Sequence, residues 1–278
     1  MTSGAVDEVI YDVEPNGVAW MILNRPDAGN ALTADQRGRM LDLLEEAATD
    51  LAVRAIVLTA SGDRHFCTGG DLRVAMQPRE RRPTNAPDRP TGSTMQGLER
   101  RLGAQRLISA LQDCPKPIIA AVNGTAAGLG AHVAFACDLV MAADTARFIE
   151  IFVRRGLIPD GAGPYLVTRL VGPQKAKELF FFGDDVPAEE ALRIGLVNRV
   201  VPAAELHERV REWAARLAAG PTVAIALTKR LVNAALESER GVAFREEAMA
   251  LEIGMQSADS VEGVQAFLER RQVEFTGW

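Results

Sequence analysis

Two glycine-bearing segments constrain the fold of this chain more than any other feature of its sequence. They run from Phe66 to Leu72 and from Asn123 to His132. Each follows a short apolar run, residues 55–60 and residues 117–122, of the kind that forms a buried strand. The second segment continues into a helix-like stretch, residues 129–137. The sequence therefore predicts two buried strands that each end in a glycine loop, one of them leading into a helix.

The glycines in these loops point to a specific chemistry. Glycine has no Cβ, so the backbone N–H groups of a glycine loop can approach a ligand closely. Two such loops that lie side by side can direct two N–H donors at one oxygen, which is an oxyanion hole. Plain turns are the alternative for glycines that follow strands. A dinucleotide-binding loop at Gly128-Leu129-Gly130 is disfavoured, because Val133 stands at the third glycine position of that fingerprint.

The same two segments closely resemble the oxyanion segments of the crotonase (enoyl-CoA hydratase/isomerase) family. Further segments match the family's pattern in the same order, over about residues 7 to 275: Leu23-Asn24-Arg25-Pro26, Asn30-Ala31-Leu32, residues 148–163, Arg169-Leu170-Val171-Gly172, residues 195–202 and residues 267–271. The resemblance implies an α/β fold, a crotonase-like spiral of repeated β-β-α units with a C-terminal all-helical oligomerisation subdomain. We accordingly expect an acyl-CoA-binding core in residues 1–203 and the helical subdomain in residues 204–278.

Composition narrows the classes of partner and compartment. The 278 residues carry a formal net charge of −6, which argues against nucleic acid as the main partner. Residues 118–137 are uncharged and long enough to cross a bilayer, but Asn123-Gly124 and His132 interrupt them, so we expect no membrane span. The three cysteines show neither paired nor metal-ligand spacing, and residues 1–7 lack the features of a secretory signal. We expect a cytoplasmic protein.

The local pattern predicts the order of elements. Two strands, residues 6–13 and 18–23, are joined by a turn at residues 14–17. Thr33 caps an amphipathic helix that extends to about Asp50. This strand–strand–helix order recurs in looser form to about residue 200. Residues 77–93, rich in proline and arginine, are predicted to form a surface loop.

The C-terminal quarter of the chain has a helical pattern throughout. Four amphipathic helices are predicted with short breaks between them: residues 206–219, 221–236, 244–254 and 261–273. The family resemblance implies that they mediate assembly, as a homotrimer or a homohexamer.

The resemblance also implies a substrate and two donors. Chemistry in this family takes place on an acyl-CoA thioester, whose oxygen becomes negatively charged as an enolate or a related anion forms. The N–H groups of Gly70 and Leu129 correspond to the family's two oxyanion donors. The positive end of the helix that begins near Leu129 would strengthen the second one. Coenzyme A enters as part of the substrate, so no separate cofactor and no metal is expected.

The resemblance assigns a further set of residues to coenzyme A. Those at positions that hold the nucleotide end are Arg25, Arg73, Phe267 and Arg270, the last two often across a subunit boundary. The carbonyl groups of Ala28 and Thr68 stand where the adenine or the pantetheine is hydrogen-bonded. For each arginine the alternative is a solvent-exposed charge.

The acid–base positions differ from those of a hydratase. Hydratases of the family use two glutamates to position and deprotonate a water, and those positions are His132 and Phe152 here. A phenylalanine cannot transfer a proton, which argues against efficient hydration. Asp160 stands where some isomerases of the family have the aspartate that moves protons on the acyl chain. Asp160 is therefore the predicted principal acid or base.

His132 is the second candidate for proton transfer. It follows Leu129 by three residues, so both lie on one face of the predicted helix. Near a helix N-terminus the cationic form is disfavoured, which leaves a neutral imidazole able to act as a base. A core histidine bonded to the backbone is the alternative. On a strand, Glu150 would share a face with Phe152 and could partly substitute for the missing glutamate. The alternative for Glu150, which we expect, is a surface or salt-bridge role.

Three functions remain open at this point. The first is an acyl-CoA isomerase or lyase that acts through an enolate, with isomerisation or hydration/elimination at an enoyl-CoA. The second is an acyl-CoA hydrolase or C–C lyase in which His132 activates water. The third is a coenzyme A-binding protein that has lost catalysis, which Phe152 would favour and Asp160 would oppose.

Overall fold

The computed structural model describes residues 7–75 and 95–278; the surface loop predicted at residues 77–93 lies outside the described residues. The strands are, in chain order, β1 (Val9–Val13), β2 (Val18–Leu23), β3 (Ala55–Ala60), β4 (His65–Cys67), β5 (Ile118–Val122), β6 (Thr125–Ala127), β7 (Leu139–Ala143), β8 (Arg147–Ile149), β9 (Asp185–Pro187) and β10 (Arg199–Val201). The helices are α1 (Ala34–Thr49), α2 (Leu72–Ala75), α3 (Met95–Asp113), α4 (Leu129–Ala136), α5 (Gly163–Phe182), α6 (Ala188–Arg193), α7 (Leu206–Ala218), α8 (Thr222–Ala235), α9 (Arg240–Gly254) and α10 (Ala258–Glu269).

The described strands form two sheets. The larger has the order β1-β2-β3-β5-β7-β10, and every neighbouring pair in it is parallel except β1 with β2. The smaller has the order β4-β6-β8-β9, with only β9 antiparallel to its neighbour. Successive strands alternate between the two sheets from β3 to β8, so each turn of the chain adds one strand to each sheet. The predicted α/β fold with repeated β-β-α units is confirmed.

The strands that flank the glycine segments are buried because helices cover the sheet. Every residue of β5 is buried, and β3 is buried except for one partly exposed threonine. A parallel sheet covered on both faces requires continuous apolar strands, which is why these two strands were visible in the sequence. Helix α7 packs on β3, β5 and β7. It therefore covers the core sheet, although the sequence analysis placed it in the C-terminal subdomain; the division at residue 203 stays a prediction.

Local hydrogen bonds explain where the first helix begins. The Thr33 side chain accepts a hydrogen bond from the Gln36 N–H, and the Gln36 side chain accepts one from the Thr33 N–H. This capping box satisfies two donors that the helix itself leaves free. Helix α1 ends at Thr49, which agrees with the predicted range.

The C-terminal residues are tied to the core by Arg54, which stands just before β3. Its guanidinium donates to the carbonyl oxygen of Gly220 at 2.7 Å, to the hydroxyl of Thr222 at 3.2 Å and to the carbonyl oxygen of Phe275 at 3.3 Å. Arg54, which is partly buried, thus holds both the start of α8 and the segment after α10.

No helix in the described part of the chain is both long and apolar enough to span a bilayer.

Candidate active site

The structure brings the two glycine segments together. Strand β4 pairs in parallel with β6, so their carboxyl ends meet at one edge of the smaller sheet. A Cβ on Gly69 would lie 3.0 Å from the carbonyl oxygen of Ala127 and 3.6 Å from the amide nitrogen of Leu129. Gly69 also has φ +101°, a conformation that side chains with a Cβ rarely adopt. The convergence that the sequence predicted is present in the fold.

The two expected donors have free N–H groups. Gly70 is exposed, and the space that a Cβ would occupy on it is open. Leu129 is the first residue of α4, after Gly128 with φ +52°. Among the described residues, neither N–H donates a hydrogen bond to another protein group. Two unpaired donors on adjacent loops, one at a helix N-terminus, are suited to stabilise a negatively charged oxygen.

The first turn of α4 approaches β4 more closely than a side chain would allow. A Cβ on Gly130 would lie only 2.1 Å from the carbonyl oxygen of Cys67. Because the clash would be with a backbone atom, a side chain at this position would require the backbone of β4 or α4 to shift. Gly130 therefore holds the second oxyanion segment against the first.

The predicted coenzyme A turn is bonded to the first glycine segment. Asn30 is fully buried with φ +52°, and its side-chain amide donates to the carbonyl oxygen of His65 at 2.8 Å. Leu32 donates its N–H to the Gly69 carbonyl at 2.8 Å, and its own carbonyl accepts from Asp71 at 3.0 Å. Hydrogen bonds with Leu32 thus fix the backbone on both sides of Gly70.

Arg25 and Arg73, both predicted to hold the nucleotide end, converge on one carboxylate. Asp71 lies 2.9 Å from Arg73 and 3.3 Å from Arg25, and the Arg73 hydrogen bond is the main reason its pKa is lowered to about 2. Arg25 also lies 3.3 Å from Glu8. The Arg73 side chain is 68% exposed, so it retains donors that can reach a phosphate.

The other predicted coenzyme A contacts fall into two groups. Thr68 donates its N–H and hydroxyl to the Gly29 carbonyl, at 3.0 and 3.1 Å, which places it beside the 3₁₀ turn that ends at Ala28. Phe267 and Arg270 are exposed at the C-terminal end of α10, and Arg270 has φ +54°. Within the described residues, no hydrogen bond or ion pair joins either of them to Arg25, Thr68 or Arg73. All six assignments stay predictions.

His132 forms a buried pair with Glu150. The side chain of His132 is fully buried, that of Glu150 is 5% exposed, and Nε2 of the imidazole lies 2.9 Å from a Glu150 carboxylate oxygen. Nδ1 of the same ring is buried and has no hydrogen-bond partner in the described structure. Glu150 is therefore not at the surface. Its contact with His132 is a salt bridge only when the imidazole is protonated, so the expected salt-bridge role stays a prediction.

Phe152 fills the second position at which a hydratase has its glutamate. Its ring stacks on His132, with centroids 5.5 Å apart and an angle of 14° between the planes. Its Cζ lies 3.3 Å from where a Cβ on Gly128 would stand. An aromatic ring thus lies directly against the second glycine segment, and it offers no carboxylate that could position a water.

Asp160 stands in the loop that leads into α5 and is exposed. The next residue, Gly161, lies against the side chain of Leu129, so that a Cβ on it would be 2.5 Å from Cδ1. Asp160 also faces Arg37: burial lowers the pKa of that guanidinium, and the charge of Asp160 opposes the shift. A carboxylate therefore lies one residue from a direct contact with the second oxyanion residue.

The neighbouring titratable groups offer no nucleophile. Burial raises the pKa of the Cys67 thiol to about 12, so it stays protonated and unreactive. Cys114 and Cys137 are also buried and free. Residues 7–75 and 95–278 contain no group of three or more His, Cys, Asp or Glu side chains that could hold a metal ion.

Sequence reasoning missed two features of the surroundings of His132. The partner of Glu150 was not predicted, because spacing on a strand does not reveal which side chain faces it from another element. Gly163 is the second: a Cβ there would lie 2.1 Å from Cε1 of His132. The signal for Gly163 was present in the run Asp160-Gly161-Ala162-Gly163, where glycines follow a proline before a helix.

Comparison with known proteins identifies the family of this chain. The family model described as Enoyl-CoA hydratase/isomerase matches residues 13–278. A protein named "Probable enoyl-CoA hydratase" from Rhodobacter capsulatus is 40% identical over 268 residues, 96% of this chain and 97% of that protein. The 1,2-epoxyphenylacetyl-CoA isomerase of Escherichia coli is 34% identical over 271 residues, 97% of this chain and 99% of that protein.

A solved structure gives the same result for the fold. The crystal structure of enoyl-CoA hydratase from Bacillus anthracis superimposes with a TM-score of 0.88 at 28% identity, over 98% of this chain and 100% of that one. The matched residues include both oxyanion segments and the positions of His132, Phe152 and Asp160. The resemblance seen in the sequence thus extends to the whole fold, and the chain belongs to the enoyl-CoA hydratase/isomerase, or crotonase, family.

Proposed function

We propose that this protein isomerises an enoyl-CoA through a thioester enolate, with Asp160 as the principal group that moves protons on the acyl chain. One observation carries the choice of reaction: the two positions at which a hydratase holds its glutamates contain a stacked His132 and Phe152. The oxyanion segments remain intact beside them, with an aspartate next to the second segment. This arrangement supports proton transfer on carbon better than addition of water.

The reaction follows from the charges that the site can stabilise. A C–H bond at Cα breaks, its electron pair forms a double bond to the thioester carbon, and the carbonyl π pair moves to the oxygen. The N–H groups of Gly70 and Leu129 face that oxygen and stabilise its charge. A proton then adds to Cγ, the double bond moves to Cα–Cβ, and the thioester carbonyl forms again. Coenzyme A is part of the substrate throughout.

The relatives support the substrate class and leave the reaction open. Among them, one from Rhodobacter capsulatus carries the name of a hydratase, and one from Escherichia coli that of an isomerase acting on 1,2-epoxyphenylacetyl-CoA. Both names describe reactions of acyl-CoA thioesters. Hydration or elimination at an enoyl-CoA therefore remains the nearest alternative, and the Phe152 ring argues against it.

The test is to incubate the protein in heavy water with saturated, 2-enoyl and 3-enoyl acyl-CoAs and to analyse the products by mass spectrometry. We expect conversion of a 3-enoyl-CoA to its 2-enoyl isomer with incorporation of deuterium. Asp160→Asn should lower this conversion by about 10²- to 10⁴-fold, the usual contribution of an acid–base group, and keep affinity for coenzyme A. Asp184→Asn, at an exposed aspartate outside the site, is the matched control.

Other products would point to the alternatives. Free coenzyme A or a shortened acyl chain would favour hydrolysis or C–C cleavage through His132, a reaction that its contact with Glu150 makes chemically reasonable. An added water would indicate hydration. Substrates recovered unlabelled while coenzyme A binds would mean a binding protein that has lost catalysis.

We also propose that the chain assembles as a homotrimer or a homohexamer through its C-terminal helices. Large apolar side chains on α9 and α10 are exposed: Phe244 (65%), Met249 (61%), Leu251 (61%), Val264 (62%) and Phe267 (81%). Exposed apolar surface of this extent is typical of a protein–protein interface. Light scattering coupled to size exclusion should give a mass three or six times that of one chain, and a monomer would contradict the proposal. A cytoplasmic location, consistent with three free buried cysteines, stays a proposal as well.

A further inference from the structure

The pairing of His132 with Glu150 limits how the imidazole can carry its proton. A carboxylate has no proton and only accepts hydrogen bonds, so at 2.9 Å the Nε2–H of His132 donates to Glu150. In a neutral imidazole the other nitrogen then has a free lone pair. The contact therefore selects one tautomer, in which Nδ1 is the basic nitrogen.

Nδ1 lies at the edge of the ring next to Gly161 and Gly163. Among the described residues it is buried without a hydrogen-bond partner, and a Cβ on Gly161 would stand 3.6 Å from it. Gly161 in turn lies against the side chain of Leu129, whose N–H is the second oxyanion donor. A buried acceptor without a partner destabilises a folded protein, so such a group calls for an explanation. A reacting acyl group held at the oxyanion segments would supply the missing proton.

Among the described residues, two aromatic rings and a glycine pack against the imidazole. The ring stacks on Phe152 and meets Phe180 edge-on at 6.5 Å between centroids. Gly163 of α5 packs on its Cε1 edge. Among the described residues, Glu150 is the charged side chain that contacts the ring within hydrogen-bond distance. Asp160 lies in the loop before α5. In such a setting a carboxylate stabilises the imidazolium that forms when Nδ1 takes a proton.

We propose that Glu150 is a positioning residue, which holds His132 in the Nε2–H tautomer so that Nδ1 accepts the Cα proton of the acyl-CoA. This rests on the proposed enolate chemistry and divides it between two groups. The Cα–H bond breaks, its proton goes to Nδ1, and its electron pair enters the enolate. The exposed Asp160 then delivers to Cγ a proton taken from water. The imidazolium gives its proton back to water before the next turnover, so protons and electrons balance.

The first experiment reads the tautomer directly and needs no variant of the pair. In ¹⁵N-labelled protein, long-range ¹H–¹⁵N spectra distinguish a protonated from an unprotonated ring nitrogen. His65→Gln and His207→Gln variants assign the remaining signal to His132, since the chain has three histidines. A proton on Nε2 and none on Nδ1 is the expected result. A proton on Nδ1, in a neutral or a charged ring, would overturn the proposal.

The second experiment measures exchange at Cα alone. Butanoyl-CoA has no double bond to move, so its incorporation of deuterium from heavy water reports only removal and return of the Cα proton. Glu150→Gln should lower this exchange at least tenfold, because the amide can face His132 with either its oxygen or its NH₂ and no longer carries charge. Glu190→Gln, at a surface glutamate paired with Arg193, is the matched control, with thermal unfolding to compare folding.

The two proposals fail in different ways. If Asp160→Asn stops isomerisation and Cα exchange alike, while Glu150→Gln changes neither, Asp160 is the sole proton carrier and the role given to Glu150 is wrong. If Asp160→Asn leaves isomerisation intact, the proposed function is wrong, whatever the tautomer of His132. If Glu150→Gln reduces Cα exchange and Asp160→Asn reduces only isomerisation, both proposals stand.

Discussion

The two halves of the candidate site are built in different ways. The proposed oxyanion half consists of backbone N–H groups on two glycine loops, held by strand pairing and by contacts that admit no Cβ. The acid–base half consists of side chains from α4, from the residue after β8 and from the loop before α5. The first half depends on the position of the backbone, and the second depends on the identity of the side chains. A family can therefore keep the first and vary the second to change the reaction.

The largest expected effect comes from breaking the oxyanion half. Gly130→Ala would place a methyl group 2.1 Å from the Cys67 carbonyl oxygen and force the two segments apart. We expect a loss of more than about 3 kcal/mol in the free energy of unfolding, together with loss of all turnover. Chemical denaturation and the heavy-water assay measure the two effects.

Gly38→Ala is the matched control for that change. Gly38 lies within α1 and has no heavy atom within 4 Å of the Cβ position. Alanine there should stabilise the protein by about 0.5–1 kcal/mol, because glycine is unfavourable inside a helix. If Gly130→Ala behaved like Gly38→Ala, the close approach of the two segments would not hold in solution.

The next effect should fall on the acid–base half alone. Gly163→Ala would press a methyl group onto the imidazole of His132, which must rotate or shift away from Glu150. We expect about a 100-fold loss of deuterium exchange at Cα, with a stability loss of about 1–3 kcal/mol. Affinity for coenzyme A should be unchanged, because the oxyanion loops and Arg73 are untouched. Loss of coenzyme A affinity in parallel with exchange would mean that the two halves are not separable.

The smallest expected effect is on the pH dependence of the free energy of unfolding, through Asp71 beside the first glycine segment. Hydrogen bonds from Arg73, with a further one from Arg25, hold the pKa of Asp71 at about 2, below its ordinary 3.8. A folded-state pKa below the unfolded one stabilises the fold at pH values above about 4, and this contribution is lost as the pH falls through 2. Because Arg73 is largely exposed, we expect less than about 1 kcal/mol.

Asp71→Asn should remove that part of the pH dependence. Denaturation curves at pH 2.5 and pH 6 would differ less in the variant than in the unmodified chain. Asp184→Asn, at a side chain that is 83% exposed, should leave the difference as it was. If both variants reduced the difference in stability between pH 2.5 and pH 6 equally, the effect would come from overall charge.

The same contrast explains what could be predicted from the sequence. Strands β2 and β3 and the start of α1 were predicted at their observed bounds, because buried strands in a parallel sheet are continuously apolar and a capping box is a local signal. The glycine loops were recognisable because glycine is needed wherever backbone approaches backbone. The contact of His132 with Glu150 was not predictable, since the two residues lie 18 positions apart and meet only when β6 and β8 pair.

The hydrogen bonds of Arg54 set a limit on when the fold can be completed during synthesis. Its bond to Phe275 closes a loop of 221 residues. At the usual 5–20 residues per second, the ribosome adds that length in about 10–45 s. During this time the guanidinium cannot make its bond to Phe275, and its bonds to Gly220 and Thr222 also wait for more than half of the chain. The larger sheet can form earlier, but these ties between the start of β3 and the C-terminal residues can form only late in synthesis.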